Sequence, residues 1–458
     1  MSELTTEGKK ALDKIKQLAG ENNIDLSGAK VRRTSSRFCL GVEHGDYNGT
    51  ELLGVGTDRF IWMAYKPNGT DKVRLASANF PDDGVIDFQL GKEVPDKTTQ
   101  TETWGRYPLG LEATRRTNFT DNLPPAVKKM RTGLDGVLYG NIPEGGMSRS
   151  ASLCGNISMS LCDVNNIALQ DQAAMFGLVD WCQAAENKYV DSPCGQLDQI
   201  MIYFSREGMA THYNPGDKTI RYISLGDGAT DFRIVVLDSG TSRMDLGKAT
   251  YNLRRKECED FVKILRGGKY KLKAGKKQNQ LISCLADVTE SVDYLAIMDL
   301  EIDDNKISGE VRQLAAERGK TTSIEDYKRR LTYIFGAQKR FYDEILPGWE
   351  DGDIEKVGAA FRKDGIGLRD DYCISGPHLE TMCDIARGVP GVIGERMLGG
   401  GDKGASGALV RAEAVDGVRK AVDNGYPRSR PAFADKYAVH VCRVVEGVKV
   451  FEGLLGGK

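Results

Sequence analysis

Residues 145–152 read Gly-Gly-Met-Ser-Arg-Ser-Ala-Ser, a glycine-rich turn that leads into hydroxyl residues. A strand-like stretch, 136–139, precedes this turn, and apolar residues recur at helical spacing from about 151 to 188. Small residues let a backbone approach an anion closely, and the N–H groups at the start of a helix point toward it. The segment fits an ordinary serine-rich helix cap equally well. It matches neither the Walker A pattern nor GxGxxG.

The pattern on both sides of this turn predicts a mixture of helices and strands. An amphipathic helix is expected over 6–19, and strand-like segments broken by turns run from about 37 to 90. A strand is expected over 232–237, mostly helix from about 248 to 387, and another strand over 438–450. We therefore expect an α+β fold.

The chain has 458 residues, which is long enough for more than one domain. A second glycine-rich segment lies at 399–407, and a turn at 225–228 offers the best division. We expect two domains, 1–228 and 229–458.

The composition excludes several classes of protein. The 63 basic and 65 acidic side chains leave a formal charge of -2, so neither a nucleic-acid partner nor an acidic tail is expected. The sequence contains no apolar run of membrane-spanning length and no signal peptide, and its ten cysteines form no CxxC pair. Four histidines leave little room for a multi-histidine metal site. We expect a soluble cytoplasmic protein with reduced thiols and no membrane partner.

Several further segments carry a resemblance when they are read in order with the glycine-rich turn. The clearest segments are 37–49 (Arg-Phe-Cys-Leu-Gly-Val-Glu-His-Gly-Asp-Tyr-Asn-Gly), 193–199 (Pro-Cys-Gly-Gln-Leu-Asp-Gln) and 396–401 (Arg-Met-Leu-Gly-Gly-Gly). Two stretches in the region expected to be helical, 251–258 and 368–372, also match. Together they resemble the galactokinases of the GHMP kinase superfamily.

The resemblance implies an α+β, two-lobed GHMP kinase fold with the active site in the cleft. The N-terminal lobe would be ribosomal S5 domain 2-like and the C-terminal lobe ferredoxin-like. The implied activity transfers the γ-phosphoryl group of ATP to the anomeric (C1) hydroxyl of galactose, giving galactose 1-phosphate. A small-molecule sugar and ATP would be the partners, Mg²⁺ the metal, and the protein a monomer.

The resemblance also implies roles for individual residues. Asp198 falls on the catalytic carboxylate and Arg37 on the arginine that stabilises the transferring group. Ser150 and Glu186 fall on the Mg²⁺ ligands, a donor set that suits this ion. Taken alone, Asp198 is better interpreted as a helix cap and Arg37 as part of a surface ion pair, and the functional interpretation gains from their occurring in register; Glu186, supported mainly by its spacing from Asp198, could also be a solvated helix residue.

Substrate-binding residues follow in the same way. The sugar hydroxyls would be bound by Glu43, His44, Asp46, Gly195 and Tyr251. Carboxylates suit this role because each oxygen accepts two hydrogen bonds, whereas Tyr251 also fits a plain core tyrosine. The nucleotide would be bound by Gly145, Gly146, Met147, Ser148, Arg149, Ser150, Ala151 and Trp104.

The sequence departs from the family's pattern at two places near the nucleotide. Arg149 stands where the family has a serine, and Asp402-Lys403 where it has an aromatic residue and a glycine. These departures leave open a kinase for galacturonate, L-arabinose or N-acetylgalactosamine, and also a sugar sensor without catalysis. Glu43 would disfavour galacturonate, because two facing carboxylates repel each other.

Overall fold

A computed structural model describes residues 4–99, 104–117, 123–169, 171–241 and 250–456. Within these ranges the chain forms strands β1 (Lys30–Gly41), β2 (Leu52–Pro67), β3 (Lys72–Ser77), β4 (Val85–Gln89), β5 (Leu134–Gly140), β6 (Met209–Asn214), β7 (Thr219–Ser224), β8 (Phe232–Asp238), β9 (Val392–Met397), β10 (Ala405–Arg411), β11 (Ala438–Cys442) and β12 (Val448–Phe451).

The helices alternate with these strands and then dominate the chain after β8. They are α1 (Thr6–Glu21), α2 (Arg106–Arg115), α3 (Pro125–Lys128), α4 (Arg149–Val164), α5 (Gln172–Lys188), α6 (Leu197–Tyr203), α7 (Thr250–Gly267), α8 (Ser291–Met298), α9 (Gly309–Ala316), α10 (Ile324–Arg340), α11 (Leu346–Asp351), α12 (Ile354–Asp370), α13 (Pro377–Arg387) and α14 (Val415–Ser429).

The first sheet is built around β1 and β2, whose long antiparallel pairing is interrupted by two register shifts. Its strand order is β12-β1-β2-β5-β3-β4, with β6 added to β2 and β7 to β6. Only the β3–β5 pair among these is parallel. Helix α4 packs on β1 and β2, and α1 covers β5 and β2. β1 therefore lies in the interior, so side chains that it carries toward the loops are held rigidly.

The second sheet has the order β11-β8-β10-β9, and all of its pairs are antiparallel. Helices α12 and α13 pack against β9. Phe38 on β1 stacks on Phe361 of α12 with ring centroids 5.5 Å apart, so one apolar core joins the two sheets. The turn from β9 to β10 faces the loop from β5 to α4, and this meeting point positions the site described below.

Local sequence signals account for the helix that begins the described chain. Thr5 caps α1 by accepting a hydrogen bond from the Gly8 amide, and the apolar positions Leu12, Ile15 and Leu18 are buried. The helix expected over 6–19 is confirmed, and the strand expected over 232–237 is confirmed as β8.

The single strand expected over 438–450 is wrong. The segment forms β11 in the second sheet and β12 in the first, separated by a crossing at 443–447. In this crossing the Val445 amide donates to Gly56 O and the Gly447 amide donates to Ser205 O. Alternation continues through both strands, so the pattern could not reveal that they belong to different sheets.

The helical stretch expected over 151–188 is likewise two helices, α4 and α5. The chain passes from the first sheet to the second between β7 and β8, near residue 228, and β12 returns to the first sheet. The division into domains at 228 stays a prediction. Among the described residues, none of the helices combines the length and apolar character that a membrane crossing requires.

Candidate active site

A cavity of about 430 Å³ opens where the loops of the two sheets meet. Its walls bring together segments that are far apart in sequence: the end of β1, the loop before α4, the start of α6, α7 and the turn after β9. The predicted site residues that line it are Arg37, Glu43, His44, Asp46, Trp104, Gly145, Gly146, Ser148, Arg149, Ser150, Glu186, Gly195, Asp198 and Tyr251.

The two glycine-rich turns pack directly on each other. Gly404 adopts φ +100°, and a Cβ there would lie 2.6 Å from the Gly145 Cα. Gly146 has φ +84°, and a Cβ on Gly399 would lie 3.0 Å from the Gly146 Cα. Side chains at these places would separate the turns, so the glycines keep the backbone of the loop before α4 at the cavity surface.

Arg37 and Asp198 form an ion pair at the centre of the cavity. Arg37 projects from β1 and is 1% exposed, and Asp198 lies in the first turn of α6. Arg37 Nε and Nη2 both donate to Asp198 Oδ1, at 2.9 and 2.7 Å, and Nη1 donates to Gly146 O at 2.8 Å. Arg37 is therefore buried rather than part of a surface ion pair, and it ties the carboxylate to the glycine-rich turn.

Glu43 is buried beside this pair, between two arginines. Its Oε1 lies 3.5 Å from Arg37 Nη2, and its Oε2 lies 3.3 Å from Arg396 Nη1. Burial raises the pKa of Glu43, whereas the positive charges of Arg37 and Arg396 act in the opposite direction. Glu43 Oε2 accepts no hydrogen bond from the described residues.

Asp46 and Gly195 approach each other closely on the opposite wall. The Leu197 amide donates to Asp46 Oδ2 at 3.1 Å, and a Cβ on Gly195 would lie 2.0 Å from the same oxygen. Only glycine fits here, which explains the Pro-Cys-Gly sequence before α6. Burial raises the pKa of Asp46 to about 6.

His44 and Tyr251 belong to an aromatic group at the rim of this part of the cavity. The ring of Tyr251 lies 5.3 Å from that of His44 and 5.7 Å from that of Tyr47. His44 Nδ1 shares a hydrogen bond of 2.8 Å with Tyr47 Oη. Tyr251 is half-buried and faces the cavity, so it is not a plain core tyrosine.

The start of α4 presents both hydroxyl and cationic groups. Ser148 has φ +62° and its buried Oγ has no hydrogen-bond partner within the described ranges. Arg149 lines the cavity, with its guanidinium 5.3 Å from the Phe80 ring and Nη1 3.8 Å from Glu144 Oε1.

Two residues of this loop do not present side chains to the cavity. Met147 and Ala151 are completely buried in the core. Any contact from them to a ligand would come from the backbone. Asp402 and Lys403 are not among the described residues that line the cavity, and Asp402 Oδ2 accepts from Thr250 Oγ1 at 3.2 Å.

Glu186 provides the carboxylate on the α5 side. It is 2% exposed, hydrogen-bonds with Ser150, and accepts from Gln199 Nε2 at 2.8 Å. Burial, with a contribution from the Asp198 charge, raises the pKa of Glu186 to about 7. No group of three or more His, Cys, Asp and Glu side chains that could hold a metal occurs in the described part of the chain. A buried carboxylate and a hydroxyl suit Mg²⁺, which keeps other oxygen ligands from substrate and water.

The aromatic end of the cavity contains Trp104, which is 5% exposed. Its Nε1 has no hydrogen-bond partner among the described residues. Phe80, Tyr107, Leu153 and Val190 line the same cavity and provide apolar surface. This end suits a planar heteroaromatic group.

Sequence reasoning missed three residues that organise the site. Arg396 stands in the sequence next to a glycine turn, which gives no sign that it contacts Glu43. Arg255 Nη1 donates to Pro193 O and Cys194 O at 2.8 and 3.0 Å, and so holds the loop that carries Gly195. Gln199 orients Glu186. All three lie within the segments that carry the family resemblance, but each has a polar or charged neighbour in sequence, so no local pattern marks them out.

Comparison with known proteins gives the family. The chain is 30% identical to a galactokinase of Chloroflexus aggregans over 400 residues, 87% of this chain and 88% of that protein. The chain belongs to the galactokinase family. A galactokinase of Clostridium beijerinckii is 28% identical over 391 residues, 85% of this chain and 87% of its own length. No protein-family model matches the chain.

Solved structures support the same fold. The Lactococcus lactis galactokinase in complex with galactose superposes with a TM-score of 0.77 at 23% identity, covering 96% of this chain and 99% of that one. A Methanococcus jannaschii mevalonate kinase gives a TM-score of 0.54 at 14% identity, covering 91% and 98%. The two-lobed GHMP kinase fold expected for this galactokinase-family chain is confirmed.

Proposed function

We propose that this protein phosphorylates the C1 hydroxyl of galactose with ATP, giving galactose 1-phosphate. The observation that carries the proposal is the Arg37–Asp198 pair, which lies in one cavity between a glycine-rich helix start and a set of hydroxyl-binding carboxylates. Membership in the galactokinase family supports the sugar and the phosphoryl donor. A cytoplasmic monomer is part of the same proposal.

In this mechanism Asp198 receives the acceptor hydroxyl. Both hydrogen bonds from Arg37 end on Oδ1, so Oδ2 is left to accept from the sugar hydroxyl. Asp198 then orients that hydroxyl and takes its proton as the new O–P bond forms, while the bond between the γ-phosphorus and the bridging oxygen of ATP breaks and ADP leaves. Arg37 also neutralises negative charge that develops on the transferring group.

The nucleotide would lie along the start of α4. Its phosphates would meet the backbone amides of Gly146 to Ser150 and the buried Ser148 hydroxyl, and its base would meet the aromatic end at Trp104. Ser150 and Glu186 would hold Mg²⁺, which when bound neutralises phosphate charge. The buried Glu186, which lies near Asp198, fits such a cation because each carboxylate disfavours ionisation of the other.

The sugar would lie against the part of the cavity wall formed by Glu43, His44, Asp46, Gly195 and Tyr251. The carboxylates of Glu43 and Asp46, which line the cavity, offer acceptors to sugar hydroxyls, and the closeness of Gly195 to Asp46 leaves no room for a side chain there. Because two arginines compensate the Glu43 charge, repulsion by Glu43 is a weaker argument against galacturonate than the sequence suggested.

The test is a coupled ADP-release assay with galactose, glucose, N-acetylgalactosamine, galacturonate and L-arabinose. We expect turnover to be fastest with galactose, and Asp198→Asn to lower kcat by roughly 100- to 10,000-fold. Faster turnover with another sugar would support the same mechanism but show that the preferred substrate is that sugar and not galactose. Binding of galactose and ATP without any turnover would contradict the proposed reaction and indicate a sensor.

A further inference from the structure

Arg396 lies on β9, where the second sheet meets the end of β1. Its side chain is 1% exposed and is held from two directions. Nη2 donates to Cys39 O at 2.9 Å, and the guanidinium lies 4.4 Å from the centre of the Phe361 ring. Because the side chain is fixed in this way, its guanidinium can affect only the groups that lie next to it.

The atom of Arg396 that approaches Glu43 is Nη1, which lies 3.3 Å from Glu43 Oε2. Neither atom makes a hydrogen bond with any described residue, although both are buried. The pair is therefore held by charge, without the aligned hydrogen bond that would use up the lone pairs of the carboxylate. Glu43 lines the cavity, so its carboxylate keeps acceptor capacity for a donor that enters there.

We propose that Arg396 is a positioning residue that holds Glu43 as an acceptor for one sugar hydroxyl, and so makes the enzyme selective for sugars that carry this hydroxyl. The inference rests on the proposed function and deepens it. Arg396 contacts Glu43 rather than the sugar, so its effect passes through that carboxylate.

Charged and titratable groups surround Glu43 on every side. They are Arg37 and Cys39 on β1, Asp198 on α6, Tyr333 on α10 and Arg396 on β9. Burial raises the pKa of Glu43, and the two arginines oppose that effect. Loss of Arg396 removes one of the two cations, so Glu43 takes up a proton more readily and loses its value as a charged acceptor.

The decisive experiment compares Arg396→Met with wild type on galactose and on its 2-, 3-, 4- and 6-deoxy derivatives. We expect Arg396→Met to raise the KM for galactose roughly tenfold to a hundredfold, the effect of one hydrogen bond to a charged group. That penalty should disappear for the single deoxy sugar that lacks the hydroxyl bound by Glu43. Equal penalties for all five sugars, or no penalty, would overturn the proposal.

The pH profile separates this role from a structural one. For Arg396→Met the KM for galactose should fall as pH rises, and this fall should lie at higher pH than in the wild type, because burial already raises the pKa of Glu43 and loss of one of its two cations raises it further. The KM for ATP should be unchanged in the variant. A loss shared by both substrates at every pH would indicate a distorted fold instead.

Two further variants keep the test decisive if Arg396→Met folds poorly. Arg396→Lys retains the positive charge but not the guanidinium contacts with Cys39 O and Phe361, so its KM for galactose should lie between those of wild type and Arg396→Met. Glu43→Gln should show the same pattern, a raised KM for galactose and no penalty for the one deoxy sugar that lacks the hydroxyl bound by Glu43. Absence of this pattern would overturn the proposal. If wild type fails to turn over galactose, the proposed function fails, and calorimetric binding of galactose and its deoxy derivatives still tests Arg396.

Discussion

Arg149 is the residue at which this chain departs most visibly from its family's phosphate loop. The guanidinium lies between the Phe80 ring and Glu144, at the cavity wall. It is only 20% exposed, so a charge there is poorly screened by solvent. Its position beside the amides of α4 favours contact with a nucleotide phosphate rather than crowding of the loop.

The prediction is that Arg149→Ser, which restores the family's residue, raises the KM for ATP by about tenfold. Arg149→Lys keeps the positive charge, so it should raise the KM for ATP by a smaller factor. Glu144→Gln should lower the KM for ATP, because it removes a carboxylate that competes for Arg149. Calorimetric titration with ADP and adenosine identifies the contact: an equal loss for adenosine would place Arg149 against the base and contradict the phosphate contact.

At this scale the sequence predicted many of the residues that line the cavity, and their roles stay predictions. The ion pair of Arg37 and Asp198 came from two segments 161 positions apart, joined only by the family's pattern. The role of Arg396 could not be predicted, because its contact with Glu43 depends on how β9 meets β1 in three dimensions. Met147 and Ala151 were included because they lie within the loop, but their burial depends on the direction of each side chain.

At the scale of elements, the two glycine turns act as one unit. Gly404 at φ +100° lies against Gly145, so the turn from β9 to β10 determines where the loop before α4 can lie. The sequence indicated two glycine-rich segments but not that they touch, since their contact follows from the packing of the sheets.

We therefore predict that Gly404→Ala weakens ATP binding although residue 404 is not among the described residues that line the cavity. The added Cβ would meet the Gly145 Cα at 2.6 Å, and the φ of +100° would strain any non-glycine residue, at roughly 1–3 kcal/mol. The KM for ATP should rise by tenfold or more, with a lower Tm. Gly267→Ala is the matched control, because a Cβ there meets nothing within 4 Å. Equal behaviour of the two variants would disprove the coupling of the turns.

At the scale of the whole molecule, β12 returns the chain to the first sheet. This strand pairs with β1 from Val31 to Thr34, although it follows β11 of the other sheet. Phe451 stacks on Trp62 with centroids 5.7 Å apart, and Leu455 is buried in the same cluster under α1. The sequence predicted a strand in this region but placed it in one piece in the second half, because alternation does not specify a partner.

The pairing of β12 with β1 leads to a prediction about the division at residue 228. A fragment of residues 1–228 lacks β12, so β1 loses its edge partner and the cluster around Trp62 loses Phe451 and Leu455. Together with the loss of the Phe38–Phe361 contact, this should cost several kcal/mol, roughly the whole stability of an ordinary domain.

We expect the 1–228 fragment to unfold without a cooperative transition, and the full chain to unfold in one. Fluorescence of variants that retain only Trp62, in the first sheet, or only Trp349, on α11 where it donates to Ile223 O of β7 and packs against Phe232 of β8, should give coincident melting curves. Deletion of 448–458 alone should lower both midpoints together, because the core that joins the two sheets is continuous. Separate midpoints for the two tryptophans, or a cooperative transition in 1–228, would mean instead that the first sheet is stable without β12 and that the two halves fold independently.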